Sequence, residues 1–377
     1  MLHINEAKNL IQSEALHQLT VNNGGLLAIA TGGGKSKIAI DYIKALEEEM
    51  QREIKILLVV PTVRLRDSNW RKEFAEWSDG IYDRIDRYCY VSINKLEGNV
   101  YDLVILDEAH NITENNSMFF DNNIYDKIIA LTATPPTEID KKEILDNLKI
   151  KIVYTLPMDD AVKKGVIAPF MIDIYMVNLD NKVKYITSGT KTKRFLSTEK
   201  SKYDYLTNKL QSITDGEIQG SYKFTVLERM RIVYNLRSKL QVSKYLLKNI
   251  IPPEKKGIIF TGSIKTAEEL EPRTYHSKTN DSDLTEFVNG NINRISAVDS
   301  LNEGADIPLV DFILVHQIKS KERHIIQRIG RAVRYRPGHL AKILIVCSKG
   351  TADEEWLKNA LENVDKSNIK YYNVNIK

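Results

Sequence analysis

The sequence predicts an α/β protein built on two mostly parallel sheets, and three observations carry that prediction. Two stretches of chain alternate strand-like and helix-like patterns, and the strand-like runs are continuously apolar, as suits strands covered on both faces. A glycine-rich loop, Thr31-Gly32-Gly33-Gly34-Lys35-Ser36, falls between an apolar run and a helix-like one. A further apolar run, Leu103-Val104-Ile105-Leu106, ends in the two carboxylates Asp107 and Glu108. At 377 residues the chain is too long for one ordinary core and suggests about two domains.

In the first stretch, Gly25-Leu26-Leu27-Ala28-Ile29-Ala30 reads as a buried strand, followed by the glycines and a helix from Lys35. Strand-sized runs follow at Ile54 to Val60, Tyr88 to Ile93, Leu103 to Leu106 and Ile128 to Leu131. The second stretch repeats the pattern at Gly257 to Phe260, Ile292 to Val298, Phe312 to Val315 and Ile343 to Val346. The boundary is expected near Tyr154 to Asp160, giving domains of residues 1–155 and 156–377. Between the halves, Val226, Val233, Leu240 and Leu247 recur every seven residues and predict one long core-facing helix ended by Pro252-Pro253. Residues 182–223 mix basic and aromatic side chains without clear periodicity and read as a mobile or partly helical insertion. Trp70, Phe74 and Trp77 form one helical stripe that reads as core rather than as a base-stacking platform.

Composition removes several classes of function. With 42% hydrophobic and 28% charged residues the chain is globular rather than fibrous or disordered. No apolar run approaches the roughly 20 residues that span a bilayer, so no membrane role is expected. The first residues, Met1-Leu2-His3-Ile4-Asn5-Glu6, lack the pattern of a secretory signal. Cys89 and Cys347 are the two cysteines, far apart and in no paired motif, which argues against a disulfide framework or a cysteine zinc site and fits a reducing cytoplasm. The net charge of +4 is unevenly placed: residues 182–256 hold 17 Lys and Arg against six Asp and Glu, a local +11, so the remainder sums to −7. That segment is a candidate for polyanion binding, although solvated lysine faces are common.

The chemistry is concentrated in two places. Glycines in the loop let backbone N–H groups turn toward phosphate oxygens, while Lys35 can reach the β and γ phosphates and Ser36 can ligate Mg²⁺. The full phosphate-loop pattern wants glycine where this chain has Ile29. A strand that ends in Asp107 puts a carboxylate at the edge of the sheet where ligands bind in open α/β folds. Asp107 can hold Mg²⁺ through water, and Glu108 can polarise an attacking water. An acidic pair also suits a helix N-terminus, so that run is ambiguous alone. Its place some way after a phosphate loop makes the catalytic reading the better one.

With these residues in place the chain resembles superfamily 2 helicases, Asp107-Glu108-Ala109-His110 standing as the DEAH box. Further stretches match that family in order. Pro61-Thr62-Val63-Arg64 resembles motif Ia, Leu131-Thr132-Ala133-Thr134-Pro135 motif III, and Phe260-Thr261-Gly262-Ser263 motif IV. Ser300-Leu301-Asn302-Glu303-Gly304-Ala305-Asp306-Ile307-Pro308 resembles motif V, and Gln327-Arg328-Ile329-Gly330-Arg331-Ala332-Val333-Arg334 motif VI. The similarity extends over about residues 8 to 350 and is nearest in flavour to the group of type III restriction subunits, UvrB, RecG and phage UvsW-like helicases.

The resemblance implies two tandem RecA-like lobes with ATP in the cleft between them, and ATP and Mg²⁺ as cofactors. It implies that Gln12 reads the adenine, that Gly304 and Asp306 join Thr31–Ser36 at the nucleotide, and that Gln327, Arg331 and Arg334 complete catalysis from the second lobe. An arginine finger of this kind is worth roughly 10³–10⁵ in rate. His110, Thr132 and Thr134 are implied to couple nucleotide state to the nucleic-acid surface, although the threonines could equally be caps. Pro61, Thr62, Arg64, Thr261 and Gly262 are implied nucleic-acid contacts, joined by the insertion residues Lys191, Lys193 and Arg194. The expected activity is ATP-dependent unwinding or remodelling of DNA (single-stranded, forked or branched), with a 3′-to-5′ direction and a targeting or replication partner protein implied by the resemblance alone. A double-strand translocase, an RNA helicase and a non-hydrolysing nucleic-acid-binding module are the alternatives.

Overall fold

In the computed structural model the described residues are 2–78, 80–133, 135–136, 138–189, 192–298, 310–318, 340–362 and 364–374. They fall into two compact units, which meet in the chain between Pro169 and Phe170. Thr134, Lys191, Gly304, Asp306, Gln327, Arg331 and Arg334 lie outside the described residues.

The first unit is built on six strands: β1 (Gly25–Ile29), β2 (Ile56–Val60), β3 (Asp86–Cys89), β4 (Val100–Asp107), β5 (Ile124–Thr132) and β6 (Ile152–Leu156). They form one sheet in the order β3-β2-β4-β5-β1-β6, every pair parallel. Every residue of β1 and β2 is buried, as their unbroken apolar runs require of strands covered on both faces. The third strand starts and ends earlier than its apolar run suggests, and past its end the Ser92 N–H donates to the Cys89 carbonyl in a turn. Strand β6 and the helix Met158–Lys163 both belong to the first unit.

The second unit adds β7 (Phe170–Val177), a hairpin of β8 (Ile186–Gly189) and β9 (Arg194–Ser197), and then β10 (Gly257–Thr261), β11 (Thr274–Tyr275), β12 (Arg294–Val298), β13 (Phe312–Val315), β14 (Ala341–Ser348) and β15 (Ile369–Val374). Seven of these make a second all-parallel sheet, ordered β11-β12-β10-β13-β14-β7-β15. The fold class is therefore as expected. Strands β7, β11 and β15 extend the sheet beyond the four runs read from the sequence.

In the central segment the insertion is partly helical, an antiparallel hairpin followed by the helix Glu199–Thr214, whose start Thr198 and Ser201 cap reciprocally, while the expectation of one long helix is corrected. The single long helix is two helices, Tyr222–Tyr234 and Arg237–Tyr245, parted at Asn235 and Leu236. A distant side chain makes the break stable. Glu199, fully buried, accepts from the Ser238 N–H at 3.0 Å and from the Tyr185 hydroxyl at 2.6 Å, and Tyr185 in turn accepts from the Arg237 N–H at 3.0 Å. These bonds satisfy N–H groups that a new helix start would otherwise leave unpaired, which the heptad spacing cannot reveal.

Behind that second helix lies a fully buried polar cluster. Lys239 Nζ donates to Asp353 Oδ2 at 2.6 Å, and both side chains have no solvent exposure. Gln317 Nε2 donates to Asp353 Oδ1 at 3.3 Å and the Ser348 N–H to Oδ2 at 3.3 Å. Burial raises the pKa of Asp353 against the opposing pull of Lys239 and these donors.

Candidate functional site

The register of the first sheet brings the loop, the acidic pair and the threonine together on one edge. Asp107 at the end of β4 pairs with Leu131 in β5, and Thr132 at the end of β5 pairs with Ala28 in β1, just before the loop. The strands run parallel, so all three carboxyl ends open on the same side, where ligands bind in such sheets.

The loop needs its glycines. Gly34 has φ 87° and ends the loop at the start of the helix Lys35–Met50, and a Cβ there would lie 2.2 Å from Gln12 Nε2. Gln12 is only 5% exposed, and this close approach places its amide against the loop. Among the described residues, the N–H groups of Gly34, Lys35 and Ser36 make no hydrogen bond, the open donors of a helix start that suit a phosphate. Lys35 Nζ donates to the Ile29 carbonyl at 3.0 Å, folded back over the loop. With the Ser36 hydroxyl in the first turn and the Asp107 carboxylate at the end of β4, separated from β1 by β5, the donors fit a nucleotide triphosphate and one Mg²⁺.

Asp107 is 8% exposed and held on both oxygens. Trp70 Nε1–H donates to Oδ2 at 2.8 Å, and the Glu108 N–H donates to Oδ1 at 3.0 Å. Burial and then the charge of Glu108 push its carboxyl up to about 7, against the pull of the indole donor and of Lys35. Its backbone carbonyl accepts from the Tyr90 hydroxyl at 3.0 Å. Trp70 and Phe74 are indeed core, but Trp70 also orients the acid, a duty the helical stripe does not disclose. The available signal is chemical: a buried indole N–H needs an acceptor. Trp77, at 37% exposure, drops out of the stripe.

Glu108 stands in the left-handed region, φ 47° and ψ 55°, which is strained for a residue with a Cβ. Its Oε2 is buried without a hydrogen bond, and His110 Nδ1 lies 3.4 Å away. His110 is 1% exposed, its Nδ1 hydrogen-bonded to Thr132 Oγ1 at 3.1 Å and its carbonyl accepting from Lys141 at 2.7 Å. The DEAH sequence is thereby tied directly to the end of β5.

The remaining assigned residues lie elsewhere. Pro61, Thr62 and Arg64 follow β2, where Thr62 Oγ1 accepts from the Leu65 N–H at 3.3 Å. Thr261 ends β10 in the second unit and Gly262 follows it, and Thr261 is fully buried, its hydroxyl donating to Ser263 and Ala297 carbonyls at 3.3 and 3.4 Å. Lys193 and Arg194 are exposed at the hairpin, beside exposed Phe195 and Leu196.

Two family models match the chain: the type III restriction enzyme res subunit over residues 4–90 and the helicase conserved C-terminal domain over residues 229–336. The chain is similar to the DNA 3′-5′ translocase XPB2 of Sulfurisphaera tokodaii, 26% identical over 370 residues, covering 91% of this chain and 82% of that one. Its fold is similar to the solved ATP-dependent Type ISP restriction-modification enzyme LlaBIII bound to DNA, with TM-score 0.64 and 16% identity, over 97% of this chain and 31% of that one. It is also similar to the helicase domain of Hef from Pyrococcus furiosus, with TM-score 0.53 and 16% identity, over 91% and 97% of the two chains. Among the described residues, no helix is long and apolar enough to cross a membrane.

Proposed function

We propose that this chain, an ATP-hydrolysing superfamily 2 helicase by the family models it matches, couples hydrolysis to movement on DNA and so unwinds or remodels forked, branched or partly single-stranded duplexes. The observation that carries the proposal is the single sheet edge that holds the open loop N–H groups, Asp107 with Glu108, and the His110–Thr132 hydrogen bond. DNA is favoured over RNA by the relative named a DNA translocase.

In this reading the loop cradles the phosphates, Lys35 leaves the Ile29 carbonyl for the γ-phosphate, and Gln12 holds the adenine. Ser36 and Asp107 would hold Mg²⁺, which would supply positive charge against the phosphates. Glu108 orients a water and takes its proton as the water oxygen bonds to the γ-phosphorus and the bond to the β-phosphate oxygen breaks. Gln327, Arg331 and Arg334 supply donors to the developing charge, as the resemblance implies. Any shift of Glu108 between nucleotide states moves His110, and through Thr132 the end of β5; this is the proposed coupling path.

Two outcomes are expected at once. Trp70→Phe removes the donor to Asp107, and because the charged carboxylate accepts that bond, its loss raises the carboxyl pKa further. The acid limb of the pH profile for MgATP turnover should move up by about one to two pH units, and an unmoved profile would take Trp70 out of the site. Neutralising Lys191, Lys193 and Arg194 together should weaken DNA binding and flatten its dependence on salt. Unchanged affinity would leave the hairpin a solvated surface.

The deciding experiment is the ATPase rate alone and with single-stranded DNA, duplex DNA, forked DNA and RNA, beside strand-displacement and triplex-displacement assays. Stimulation by DNA with strand displacement supports the proposal. Triplex displacement without strand separation would make the chain a double-strand translocase, and stimulation by RNA alone would overturn the DNA reading.

A further inference from the structure

The second unit contains a cavity of about 490 Å³ where its two central helices part. Tyr234 from the end of one helix and Arg237 from the start of the next both line it, so the break at Asn235 and Leu236 creates the space. Its size falls within the roughly 300–1,000 Å³ of small-molecule sites.

The lining is cationic and aromatic. Arg237, Lys244 and Lys265 face one carboxylate, Glu269, an excess of two positive charges. Lys244 is paired with Glu269 at 3.3 Å. The side chains of Arg237 and Lys265 are exposed and make no hydrogen bond or ion pair among the described residues. His316 at the floor adds no charge: burial and then Lys239 hold its pKa well below the usual value, and its Nδ1 is hydrogen-bonded to Ser243 Oγ at 2.8 Å. Tyr185 forms a fixed wall, its hydroxyl donating to Glu199 at 2.6 Å and accepting from the Arg237 N–H at 3.0 Å. Two unpaired cations beside two tyrosine rings match a unit that joins a phosphate to a flat base. A guanidinium fork suits phosphate oxygens, and base stacking on aromatic rings is worth roughly 1–3 kcal/mol.

We propose that this cavity is a second nucleotide subsite, separate from the loop at Lys35, in which Arg237 and Lys265 hold the phosphate and a tyrosine ring carries the base. The occupant is one nucleotide of a polynucleotide strand or a free mononucleotide. The first source rests on the nucleic-acid function proposed above; the second does not.

The test uses the full chain and the double variant Arg237→Ala, Lys265→Ala, with Tyr234→Ala separately, each checked for an unchanged melting temperature. Fluorescence anisotropy with labelled oligothymidylate is read across a salt series. Loss of two phosphate contacts should weaken binding tenfold or more and reduce the salt slope by about 1.4. Equilibrium dialysis with a non-hydrolysable ATP analogue provides the other arm. Two equivalents bound by the native chain and one by the double variant would identify a free nucleotide as the occupant. If the native chain binds no oligonucleotide, the DNA reading fails while dialysis still decides the cavity. Unchanged affinity, slope and stoichiometry in the double variant would overturn the proposal, as would polyglutamate displacing the ligand as readily as oligothymidylate, which would point to an acidic peptide.

Discussion

Glu108→Gln is expected to lower ATP turnover by about 10² to 10⁴-fold, the range for removing a general base, while leaving affinity for a non-hydrolysable ATP analogue within a few fold. Glutamine keeps the shape and the left-handed backbone of Glu108 but cannot take a proton. The position is costly to hold: φ is 47°, and one carboxylate oxygen is buried with no hydrogen bond. Such strain survives where the surroundings impose it, here the buried His110 beneath and the Asp107 carboxylate accepting from the Glu108 N–H. A comparison of two further variants separates catalysis from strain. Glu108→Gly should be more stable than Glu108→Ala by about 1–2 kcal/mol, the cost of the left-handed conformation for a residue with a Cβ, with both inactive. Turnover within tenfold of native in Glu108→Gln would remove this residue from the reaction. Equal melting temperatures for the glycine and alanine variants would remove the strain argument alone.

Lys239→Met is expected to destabilise the second unit by about 3–5 kcal/mol, because it leaves the Asp353 charge buried and uncompensated. At roughly 2–4 °C per kcal/mol for units of this size, its melting midpoint should fall by on the order of 10 °C. Replacing both partners, Lys239→Met with Asp353→Leu, should recover most of that loss, because two charges removed from water regain little more than their desolvation cost. The raised pKa of Asp353, even with Lys239 Nζ at 2.6 Å, expresses the same near-balance. Calorimetry of the two variants checks both statements. A double variant as unstable as the single one would mean that Gln317 and the Ser348 N–H, left without their acceptor, matter more than the ion pair.

The two units differ in how far their sites were legible. In the first, the loop between β1 and its helix, the carboxylates at the end of β4 and the threonine at the end of β5 all stand where the local pattern puts them. Glycine tolerance of positive φ, strand length and the strand-end position of a charge are properties of a few consecutive residues. In the second, the heptad spacing of Val226, Val233, Leu240 and Leu247 predicted a single helix, and Glu199 broke it from 39 residues away.

By itself, then, the sequence determined two parallel α/β units, the glycine-rich loop between the first strand and its helix, the acidic pair and the uneven placement of positive charge. Only the tertiary structure decided that Trp70 orients Asp107, that His110 bonds Thr132, that Glu199 starts a new helix at Ser238, and that Lys239 meets Asp353 across 114 residues of chain. Each of these is a hydrogen bond between buried groups distant in sequence. A buried donor or acceptor must find a partner, but which partner it finds depends on how the strands and helices pack, and no local periodicity encodes that.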